Sequence, residues 1–439
     1  MHQQANVRYR VSPGGKLSGA ARVPGDKSIS HRSIMLGSLA EGVTEVSGFL
    51  EGEDALATIN AFRAMGVRID GPQDGRVTVH GVGLHGLQPP REPIYCGNSG
   101  TSMRLLAGIL AAQRFDSVLT GDPSLTRRPM KRVVGPLSQM GARIDASETG
   151  TCPLHIHGGQ TLRGIAYQSP VASAQVKSAI LLAGLYAEGR TCVTEPAVSR
   201  DHTERMLAGM GYPVLRDGAT VCVESGGSLR ATRIDVPADI SSAAFFLVGA
   251  SIAEGSDLTL QHVGVNPTRT GVIDILRLMG ADIEVLNPRE VGGEPVADLR
   301  VRSAKLKGVR IPEELVPLAI DEFPVLFVAA ACAEGETVLT GAEELRVKES
   351  DRIAVMAEGL RSLGVDAEPL PDGMRIRGGR FGGGHIHSRS DHRIAMSFTI
   401  AALRAEGEIV IDDCANVNTS FPGFVSLSQS LGLNVRIEA

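Results

Sequence analysis

A sixfold internal repeat is the feature of this sequence that most constrains its fold. A pattern of an apolar residue, a short spacer and Met or Leu before Gly recurs as FRAMGVRI, LSQMGARI, LAGMGYPV, LRLMGADI, LRSLGVDA and LSQSLGLNV, with roughly 70 to 85 residues between copies. Each copy is typical of a helix that ends in a glycine cap and is followed by an alternating strand. The recurrence indicates that one supersecondary unit is used six times.

A second, more apolar helix accompanies these copies. It is rich in Ala and usually ends in Glu-Gly, as in SIMLGSLAEG, SAILLAGLYAEG and FTIAALRAEG, and a short β-rich run follows it. Six units, each with two helices and several strands, account for the 439 residues. A chain of this length exceeds what one hydrophobic core usually supports, so the sequence predicts an α/β protein with two domains of about 200 residues each.

The apolar helices begin with polar and ionic clusters, among them DKSISHR, GNSGTSMR, SAQVKS and DHRIAMS. Ser, Asp and Asn are ordinary helix caps. For the cluster ADISSA, capping is as good an explanation as an anion site. Capping does not explain Lys27, Arg32, Arg104, Lys177 or Arg393, because a helix amino terminus already carries partial positive charge. A further set of cations lies near the starts of the other helices: Arg127, Arg128, Arg200, Lys348 and Arg352. These positions predict anion sites.

Composition excludes several classes of protein. A net charge of −5 and an aromatic content of 4% leave little with which to bind nucleic acid. No stretch reaches the roughly 18 uninterrupted apolar residues of a membrane span, and the first residues do not resemble a secretory signal. We therefore expect a cytoplasmic protein without membrane or nucleic-acid partners. The six cysteines are scattered without a Cys-x-x-Cys pair, and we expect them to be buried free thiols.

Three patterns that could indicate a cofactor or a metal lack the required context. GVGLHG is followed by LQPPREP rather than by a helix, and PGDKS has Asp26 where a P-loop needs Gly. The pairs His155 with His157 and His385 with His387 have a spacing compatible with metal ligation, but no carboxylate or Cys is placed in the sequence to complete a site. We therefore expect neither a cofactor nor a bound metal.

Seven ordered motifs are specific as a set: VPGDKSISHR, GNSGTSMR, LTGDPSLTRRPM, ASAQVKSA, AIDEFP, LRVKESDR and DHRIAMSF. Over nearly the whole chain they resemble the 5-enolpyruvylshikimate-3-phosphate (EPSP) synthase family. The resemblance implies two similar lobes, each of three β-α-β-α-β-β repeats. Residues 26–237 would form one lobe, residues 1–25 and 238–439 would form the other, and the active site would lie in the cleft between them.

The resemblance also implies an enzyme, a 3-phosphoshikimate 1-carboxyvinyltransferase of aromatic amino-acid biosynthesis. In this family the 5-hydroxyl of shikimate 3-phosphate adds to phosphoenolpyruvate, and the tetrahedral adduct expels phosphate to leave an enolpyruvyl ether. Both substrates carry several negative charges, which agrees with the cations at the helix starts. Glyphosate is the implied inhibitor, and we expect a monomer.

Individual site residues follow from the resemblance. Those implied for shikimate 3-phosphate are Lys27, Ser28, Arg32, Ser173, Ala174, Gln175, Arg200, Asp321 and Lys348. Those implied for phosphoenolpyruvate are Lys27, Gly100, Arg128, Gln175, Lys348, Arg352 and Arg393. The implied catalytic residues are Asp321, which would accept the 5-hydroxyl proton, Glu349, which would exchange a proton with the methylene carbon, and Lys27. Without the resemblance, Glu349 would be interpreted as a solvated helix charge.

Some features keep other interpretations open. Thr419 in VNTSFPGF stands where many members of the family have Lys, so this position has no cation for the late contact that the resemblance implies. The motifs SAQVK and SRDHTE resemble the less glyphosate-sensitive bacterial class, whereas Gly100 does not exclude the inhibitor. A related enzyme that acts on UDP-N-acetylglucosamine typically has a Cys in the loop matching TGDPSLTRRP, and this loop has none. A non-catalytic repeat protein that binds polyanions is a third alternative, but Asp321 and Glu349 would oppose anion binding.

Overall fold

The computed structural model describes residues 6–438, which divide into two compact units. Unit 2 consists of Gly25–Val236 together with Val291–Glu294. Unit 1 consists of the described residues up to Pro24, of Pro237–Glu290, and of the described residues from Pro295 onward. The assignment of Val291–Glu294 to unit 2 interrupts the long segment expected in one lobe, and no sequence pattern indicated it.

The described residues start in unit 1 and continue into unit 2 after two strands. These strands are β1 (Arg8–Val11) and β2 (Ser18–Ala21). Unit 2 contains α1 (Lys27–Leu39), β3 (Glu41–Ser47), α2 (Glu53–Ala64), β4 (Arg68–Gln73), β5 (Arg76–Val82), β6 (Ile94–Tyr95), α3 (Gly100–Leu110), β7 (Ser117–Thr120), α4 (Lys131–Gln139), β8 (Arg143–Asp145), β9 (Leu154–His157), β10 (Ala166–Gln168), α5 (Ala174–Gly184), β11 (Arg190–Thr194), α6 (His202–Gly209), β12 (Leu215–Asp217), β13 (Thr220–Glu224) and β14 (Arg233–Asp235).

Unit 1 then continues with α7 (Ile240–Ile252), β15 (Asp257–Gly264), α8 (Gly271–Leu278), β16 (Asp282–Val291), β17 (Glu294–Arg302), α9 (Val316–Ala319), α10 (Phe323–Cys332), β18 (Glu336–Leu339), α11 (Arg352–Ser362), β19 (Asp366–Leu370), β20 (Gly373–Arg377), β21 (Gly384–His387), α12 (His392–Ala401), β22 (Ile409–Asp412), α13 (Phe424–Leu431) and β23 (Val435–Glu438).

The strand pairing repeats from sheet to sheet. Unit 2 has the sheet orders β14-β3-β5-β4, β6-β7-β9-β8 and β10-β11-β13-β12. In each of them the first two strands are parallel and the remaining pairs are antiparallel. A helix connects the two parallel strands in β6-α3-β7 and β10-α5-β11, which is the usual crossover for such a pair. The predicted α/β class and its β-α-β-α-β-β repeat are confirmed.

Strands that are distant in the sequence complete three of the repeats. The sheet that contains β3 is closed by β14, almost 200 residues later, while β2 pairs in parallel with β15. Strand β1 lies between β22 and β23 and is antiparallel to both. Unit 1 has the sheet orders β16-β17-β15-β2, β21-β22-β1-β23 and β18-β20-β19. The last of these has isolated parallel bridges at Lys307 and Arg310 in place of a fourth strand. The pairing of β1 with β23 joins the first described strand to the last.

Each unit has its own hydrophobic core, built around the apolar helices. In unit 2, α1 and α5 both pack against α3, and in unit 1, α10 packs against α7 and α12. All 13 residues of α7 are buried. A helix that is apolar on every side must be enclosed by other elements, whereas the strands have alternating burial and can face solvent on one side.

The repeated glycines end the second helix of each unit, as the sequence predicts. Gly66, Gly141, Gly211, Gly280, Gly364 and Gly432 all have positive φ, between 84° and 123°. This left-handed conformation favours glycine and satisfies carbonyls at a helix end. The glycine-cap interpretation is therefore confirmed at all six positions.

One helical stretch of the described residues, Glu313–Cys332, is long and apolar enough by length and composition to cross a membrane. It is not continuous, because it consists of short helical segments that include α9 and α10. Its most apolar window is 67% buried inside the protein, as expected of a core helix.

The cysteines differ from the expectation of six buried free thiols. Cys192 on β11 and Cys222 on β13 are directly opposite each other and form a disulfide. The interpretation as free thiols is wrong for this pair, because the antiparallel register that joins them cannot be derived from their sequence spacing. The other four cysteines are free, and of these Cys332 is only half-buried.

Candidate active site

The start of α1 in unit 2 brings together the first group of predicted site residues. Asp26 caps the helix, since its Oδ1 accepts a hydrogen bond from Ile29 N at 2.8 Å. Lys27 forms a close ion pair with Asp54 on α2, and Asp54 is buried. Ser28 is also buried. The cation at this helix start is therefore fixed by a neighbouring helix.

Arg32 lies one turn further along α1 and is buried. Its Nε donates to Thr203 Oγ1 at 2.7 Å, its Nη2 donates to Ser178 Oγ at 3.0 Å, and its Nη1 donates to Ser28 O at 3.0 Å. Thr203 is on α6 and Ser178 is on α5. The guanidinium is thus fixed in one orientation by three helices, as suits binding of an oxyanion.

The start of α3 carries the next group. Ser99 caps α3 through Ser102 N at 3.0 Å, and Gly100 is the first helical residue. Arg128 is buried and donates from Nη1 to Asn98 O at 2.9 Å. A Cβ atom added at Gly100 would lie 2.9 Å from Arg128 Nη2. The absence of a side chain at Gly100 therefore leaves room for the guanidinium beside the helix start.

Two residues predicted for the site link α5 to this region. Ser173 caps α5 by accepting a hydrogen bond from Val176 N at 3.4 Å, and Ala174 is the first helical residue. Gln175 donates from Nε2 to Thr101 Oγ1 at 3.0 Å. Its Oε1 is buried and has no hydrogen-bond partner among residues 6–438. A buried acceptor without a protein partner can accept a hydrogen bond from a bound ligand or from water.

A buried histidine that the sequence patterns left without a role joins α1, α2 and α3. His31 Nδ1 lies 2.7 Å from Thr58 Oγ1, and its Nε2 lies 3.4 Å from Ser99 Oγ. Burial, together with the charges of Lys27 and Arg32, lowers the pKa of His31 well below 6.5. The imidazole is therefore neutral at physiological pH and acts as a hydrogen-bonding link. Only its place inside the motif DKSISHR could have suggested its importance.

In unit 1 the remaining predicted residues surround Arg352, the first residue of α11. Its side chain is 1% exposed. Its Nε lies 2.9 Å from Asp391 Oδ2, its Nη2 lies 2.7 Å from Glu349 Oε2, and its Nη1 lies 3.5 Å from Asp321 Oδ1. Burial alone would lower the pKa of Arg352, but Asp391 and Glu349 raise it above its ordinary value. The two predicted catalytic carboxylates therefore contact the same guanidinium.

Lys348 also belongs to this group. Its Nζ lies 3.9 Å from Asp321 Oδ1, and its side chain is partly buried. Burial lowers the pKa of Lys348 below 10.5, although Asp321 opposes this effect. An ammonium that loses its proton more readily than an ordinary lysine can take part in proton transfer as well as in anion binding.

Asp391 connects the start of α11 with the start of α12. It accepts hydrogen bonds from Arg393 N at 3.0 Å and from Ser350 Oγ at 2.8 Å. Burial raises the pKa of Asp391, but Arg352 more than compensates and brings it below 3.8. The side chain of Arg393 forms no hydrogen bond or ion pair with any residue in the described part of the chain. Its guanidinium is available for a ligand.

Thr419 is not placed to supply a late polar contact to a ligand. It is buried at the end of a 3-10 turn, Cys414–Thr419, and its Oγ1 donates to Asn416 O at 2.7 Å. The hydroxyl is therefore used within its own turn.

Lys177 does not behave as a cation of an anion site. Its ammonium is enclosed by Glu195 and Glu204, both of them buried. The expectation that Lys177 binds an external anion is wrong, because carboxylates distant in the sequence neutralise it.

The paired histidines have carboxylate neighbours that the sequence did not reveal. His385 Nε2 and His387 Nδ1 lie 2.6 Å and 3.3 Å from Asp412 Oδ2, and His157 Nε2 lies 2.6 Å from Asp145 Oδ2. Each of these histidines therefore has a carboxylate neighbour that is distant in the sequence. Within residues 6–438, however, no group of three or more His, Cys, Asp or Glu residues is arranged to hold a metal ion.

The chemistry of both groups is that of anion binding and proton transfer. Unit 2 has three helix starts with fixed donors. Unit 1 has two helix starts, and the cation at the start of α11 lies beside carboxylates. Helix amino termini and arginine forks bind phosphate and carboxylate groups. Carboxylates next to cations can serve as general acids and bases.

Comparison with known proteins identifies the family. Residues 11–427 match the family model described as EPSP synthase (3-phosphoshikimate 1-carboxyvinyltransferase). The chain is 71% identical over 437 residues to the 3-phosphoshikimate 1-carboxyvinyltransferase of Methylococcus capsulatus, with 100% of both chains covered. It is 74% identical over 428 residues to that of Alkalilimnicola ehrlichii, with 97% of this chain and 96% of the relative covered.

A solved structure agrees with these relatives. The EPSP synthase of Acinetobacter baumannii superposes with a TM-score of 0.88 at 58% sequence identity, covering 99% of this chain and 100% of the other. Identity at this level over the full length, together with the repeated sheets and the helix-start residues described above, shows that the chain belongs to the EPSP synthase family.

Proposed function

We propose that this protein transfers the enolpyruvyl group of phosphoenolpyruvate to the 5-hydroxyl of shikimate 3-phosphate and releases phosphate. The observation that carries the proposal is the group around Arg352, where Asp321 and Glu349 contact one buried guanidinium at the start of α11. An anion-binding cation flanked by two proton-transfer groups is what the addition and elimination steps require.

Shikimate 3-phosphate would bind mainly to unit 2. Ser28, Arg32, Ser173 and Gln175 lie at the starts of α1 and α5, and Arg200 lies just before α6. Fixed donors at helix starts favour a phosphate group. The buried Oε1 of Gln175 would accept a hydrogen bond from a hydroxyl of the ligand. Ala174 would contribute its backbone at the start of α5.

Phosphoenolpyruvate would require cations from both units. Arg128 and Gly100 belong to unit 2, whereas Lys348, Arg352 and Arg393 belong to unit 1. We propose that the units contribute these residues to one active site, as the family resemblance implies. The phosphate and carboxylate groups of this substrate match arginine forks in charge and geometry.

The proposed reaction is balanced in protons. Asp321 accepts the 5-hydroxyl proton as O5 attacks the central carbon of phosphoenolpyruvate, and Glu349 delivers a proton to the methylene carbon. In the elimination step Glu349 recovers a proton from the resulting methyl group, and phosphate leaves with the proton from O5. Lys27 and Lys348 would stabilise charge on the reacting groups. Binding of phosphoenolpyruvate to Arg352 would engage this guanidinium and leave Glu349 able to carry its proton.

Glyphosate, which carries a phosphonate and a carboxylate, would compete for the cations that bind phosphoenolpyruvate. Gly100 leaves space beside Arg128 for such a ligand. We further propose that the protein is a cytoplasmic monomer without nucleic-acid or membrane partners. A net charge of −5 disfavours binding to the phosphates of nucleic acid. Gel filtration over a range of concentrations tests the oligomeric state.

The central test follows phosphate release. The protein is incubated with shikimate 3-phosphate and phosphoenolpyruvate together, with each substrate alone, and with UDP-N-acetylglucosamine replacing shikimate 3-phosphate. We expect release only with the first pair, without added metal or nucleotide. Release with UDP-N-acetylglucosamine at the same rate would overturn the assignment in favour of the related transferase. Binding of both anions without any release would favour a non-catalytic polyanion-binding protein.

A further inference from the structure

Three buried charged side chains lie beneath the start of α5. Lys177, on the first turn of this helix, has its Nζ 3.0 Å from Glu195 Oε2 and 3.1 Å from Glu204 Oε2. Each of the three side chains is only 2% exposed. The proposed reaction gives none of them a role, because the lysine is enclosed by carboxylates of its own chain.

Glu195 joins this lysine to two segments of the proposed site. Its Oε1 accepts hydrogen bonds from Ser173 N at 3.1 Å and from Ser199 Oγ at 2.6 Å, and its Oε2 accepts one from Ser199 N at 3.3 Å. Ser173 caps α5, and Ser199 directly precedes Arg200. One carboxylate therefore fixes the backbone of both segments.

Stability alone does not account for this cluster. Two carboxylates share one ammonium, and Glu204 Oε1 has no hydrogen-bond partner among residues 6–438. Removing charges from water costs free energy, and well-packed apolar residues in place of a buried ion pair are often equally stable or more stable. A buried carboxylate that accepts from two loops does, however, restrict where their polar groups can point. That restriction is useful where a multiply charged ligand must be met.

We propose that Glu195, with Lys177 as its counter-ion, is a positioning residue for shikimate 3-phosphate. It holds Ser173 and the backbone beside Arg200 in the binding arrangement before the ligand arrives, so that less ordering accompanies binding. Glu204 balances the same ammonium from α6. The inference rests on the proposed function, because it requires that Ser173 and Arg200 contact shikimate 3-phosphate.

The test compares two isosteric substitutions. Glu195→Gln and Glu204→Gln each remove one carboxylate charge from Lys177, but only the first disturbs the hydrogen bonds to Ser173 and Ser199. Calorimetry gives the Kd of shikimate 3-phosphate alone, and steady-state kinetics give KM for both substrates. We expect Glu195→Gln to raise the Kd and KM of shikimate 3-phosphate about tenfold or more, the size of a lost charge-assisted contact. KM for phosphoenolpyruvate at saturating shikimate 3-phosphate should change by less than about twofold.

Glu204→Gln should raise the Kd of shikimate 3-phosphate by less than about threefold, because the contacts of Glu195 with both loops persist. If Glu195→Gln does not fold, Ser199→Ala replaces it, since this change removes only the hydrogen bond from Ser199 Oγ. Its expected effect is a rise of about threefold to tenfold in the same Kd. Glu224→Gln is the control, because it breaks an exposed ion pair between Glu224 on β13 and Arg190 on β11. It should leave the Kd of shikimate 3-phosphate and both KM values unchanged.

Three outcomes would overturn the inference. The first is an unchanged Kd of shikimate 3-phosphate in folded Glu195→Gln, or in Ser199→Ala where that variant replaces it. The second is an equal rise of this Kd in Glu195→Gln and Glu204→Gln, and the third is an equal rise of KM for both substrates. Each differs from failure of the proposed function. In that case the unsubstituted protein itself would not bind shikimate 3-phosphate or would release no phosphate.

Discussion

Arg352 and Asp391 form a buried ion pair with two hydrogen bonds, from Nε to Oδ2 at 2.9 Å and from Nη2 to Oδ1 at 3.2 Å. The side chains are 1% and 0% exposed. The pair connects the start of α11 to the start of α12, which carries Arg393. One carboxylate therefore orients the guanidinium of Arg352 and also accepts a hydrogen bond from the backbone N of Arg393.

Asp391→Asn should destabilise unit 1 strongly, because it leaves the buried Arg352 without its main counter-ion. Removing one partner of a buried pair typically costs about 3 to 5 kcal/mol. Urea unfolding measures the change. Glu358→Gln is the control, because it breaks an exposed pair with Arg389 and should cost about 1 kcal/mol or less. Equal losses in the two variants would show that the burial of the pair has no energetic consequence.

Asp321→Asn and Glu349→Gln should lower kcat by about 10² to 10⁴-fold, because general acid-base groups contribute that much to turnover. KM for shikimate 3-phosphate should change less than kcat. Rapid-quench or phosphate-release assays at saturating substrates measure the effect. Glu343→Gln, an exposed carboxylate in the same segment, is the matched control. Normal kcat in either active-site variant would remove that residue from the proton-transfer scheme.

Gly100→Ala should weaken the use of phosphoenolpyruvate more than the stability of the protein. The added Cβ would lie 2.9 Å from Arg128 Nη2 and 2.8 Å from Arg104 Nη1. Both atoms are ends of flexible side chains, so they can move away, but Arg128 then leaves its position at the start of α3. We expect KM for phosphoenolpyruvate to rise about tenfold. The melting temperature should stay close to that of the unsubstituted protein, and a large loss of stability with unchanged KM would contradict this explanation.

The sequence predicted the parts of the fold that depend on local pattern. The six glycine caps and the apolar helices follow from periodicity and backbone preference, and the repeat follows from their recurrence. The pairing of β14 with β3, and of β1 with β22 and β23, could not be derived in this way. These pairs join strands far apart in the chain, and no local pattern specifies which distant strand completes a sheet.

In the site, too, the residues within local motifs could be predicted, whereas contacts between distant residues could not. Most of the proposed ligand residues could be named because the family motifs are short and contiguous. Lys177 was misinterpreted because a lysine at a helix start looks the same in sequence whether a substrate or a buried glutamate neutralises it. Glu195 and Glu204 lie 18 and 27 residues further along the chain, outside the motif. Only the packing of α5 and α6 with the end of β11 brings them together.

The disulfide can be tested by counting thiols. Protein purified without reductant and then denatured should show four reactive thiols, because Cys192 and Cys222 are paired. Reduction should raise the number to six and lower the stability of unit 2. For cysteines 30 residues apart, the chain-entropy model gives a loss of about 3 to 4 kcal/mol. The double variant Cys192→Ser, Cys222→Ser should show four thiols with or without reductant. Six thiols in the unreduced protein would contradict the pairing.

The last prediction concerns His31 and the acid side of the stability profile. The imidazole is neutral in the folded protein, because burial and the charges of Lys27 and Arg32 hold its pKa well below 6.5. In the unfolded chain the same group takes up a proton as the pH falls below about 6.5. The unfolded state then binds more protons than the folded state, so the free energy of unfolding decreases as the solution becomes more acidic.

Between pH 7.5 and 5.5, His31→Gln should therefore lose less stability than the unsubstituted protein, by up to about 1.4 kcal/mol. Thr58→Val is the control: it removes the partner of Nδ1 but keeps the imidazole, so it should be less stable at both pH values and retain the full pH dependence. Urea unfolding of the three proteins at both pH values decides the matter, and equal pH dependence in His31→Gln and the unsubstituted protein would mean that His31 accepts its proton in the folded state.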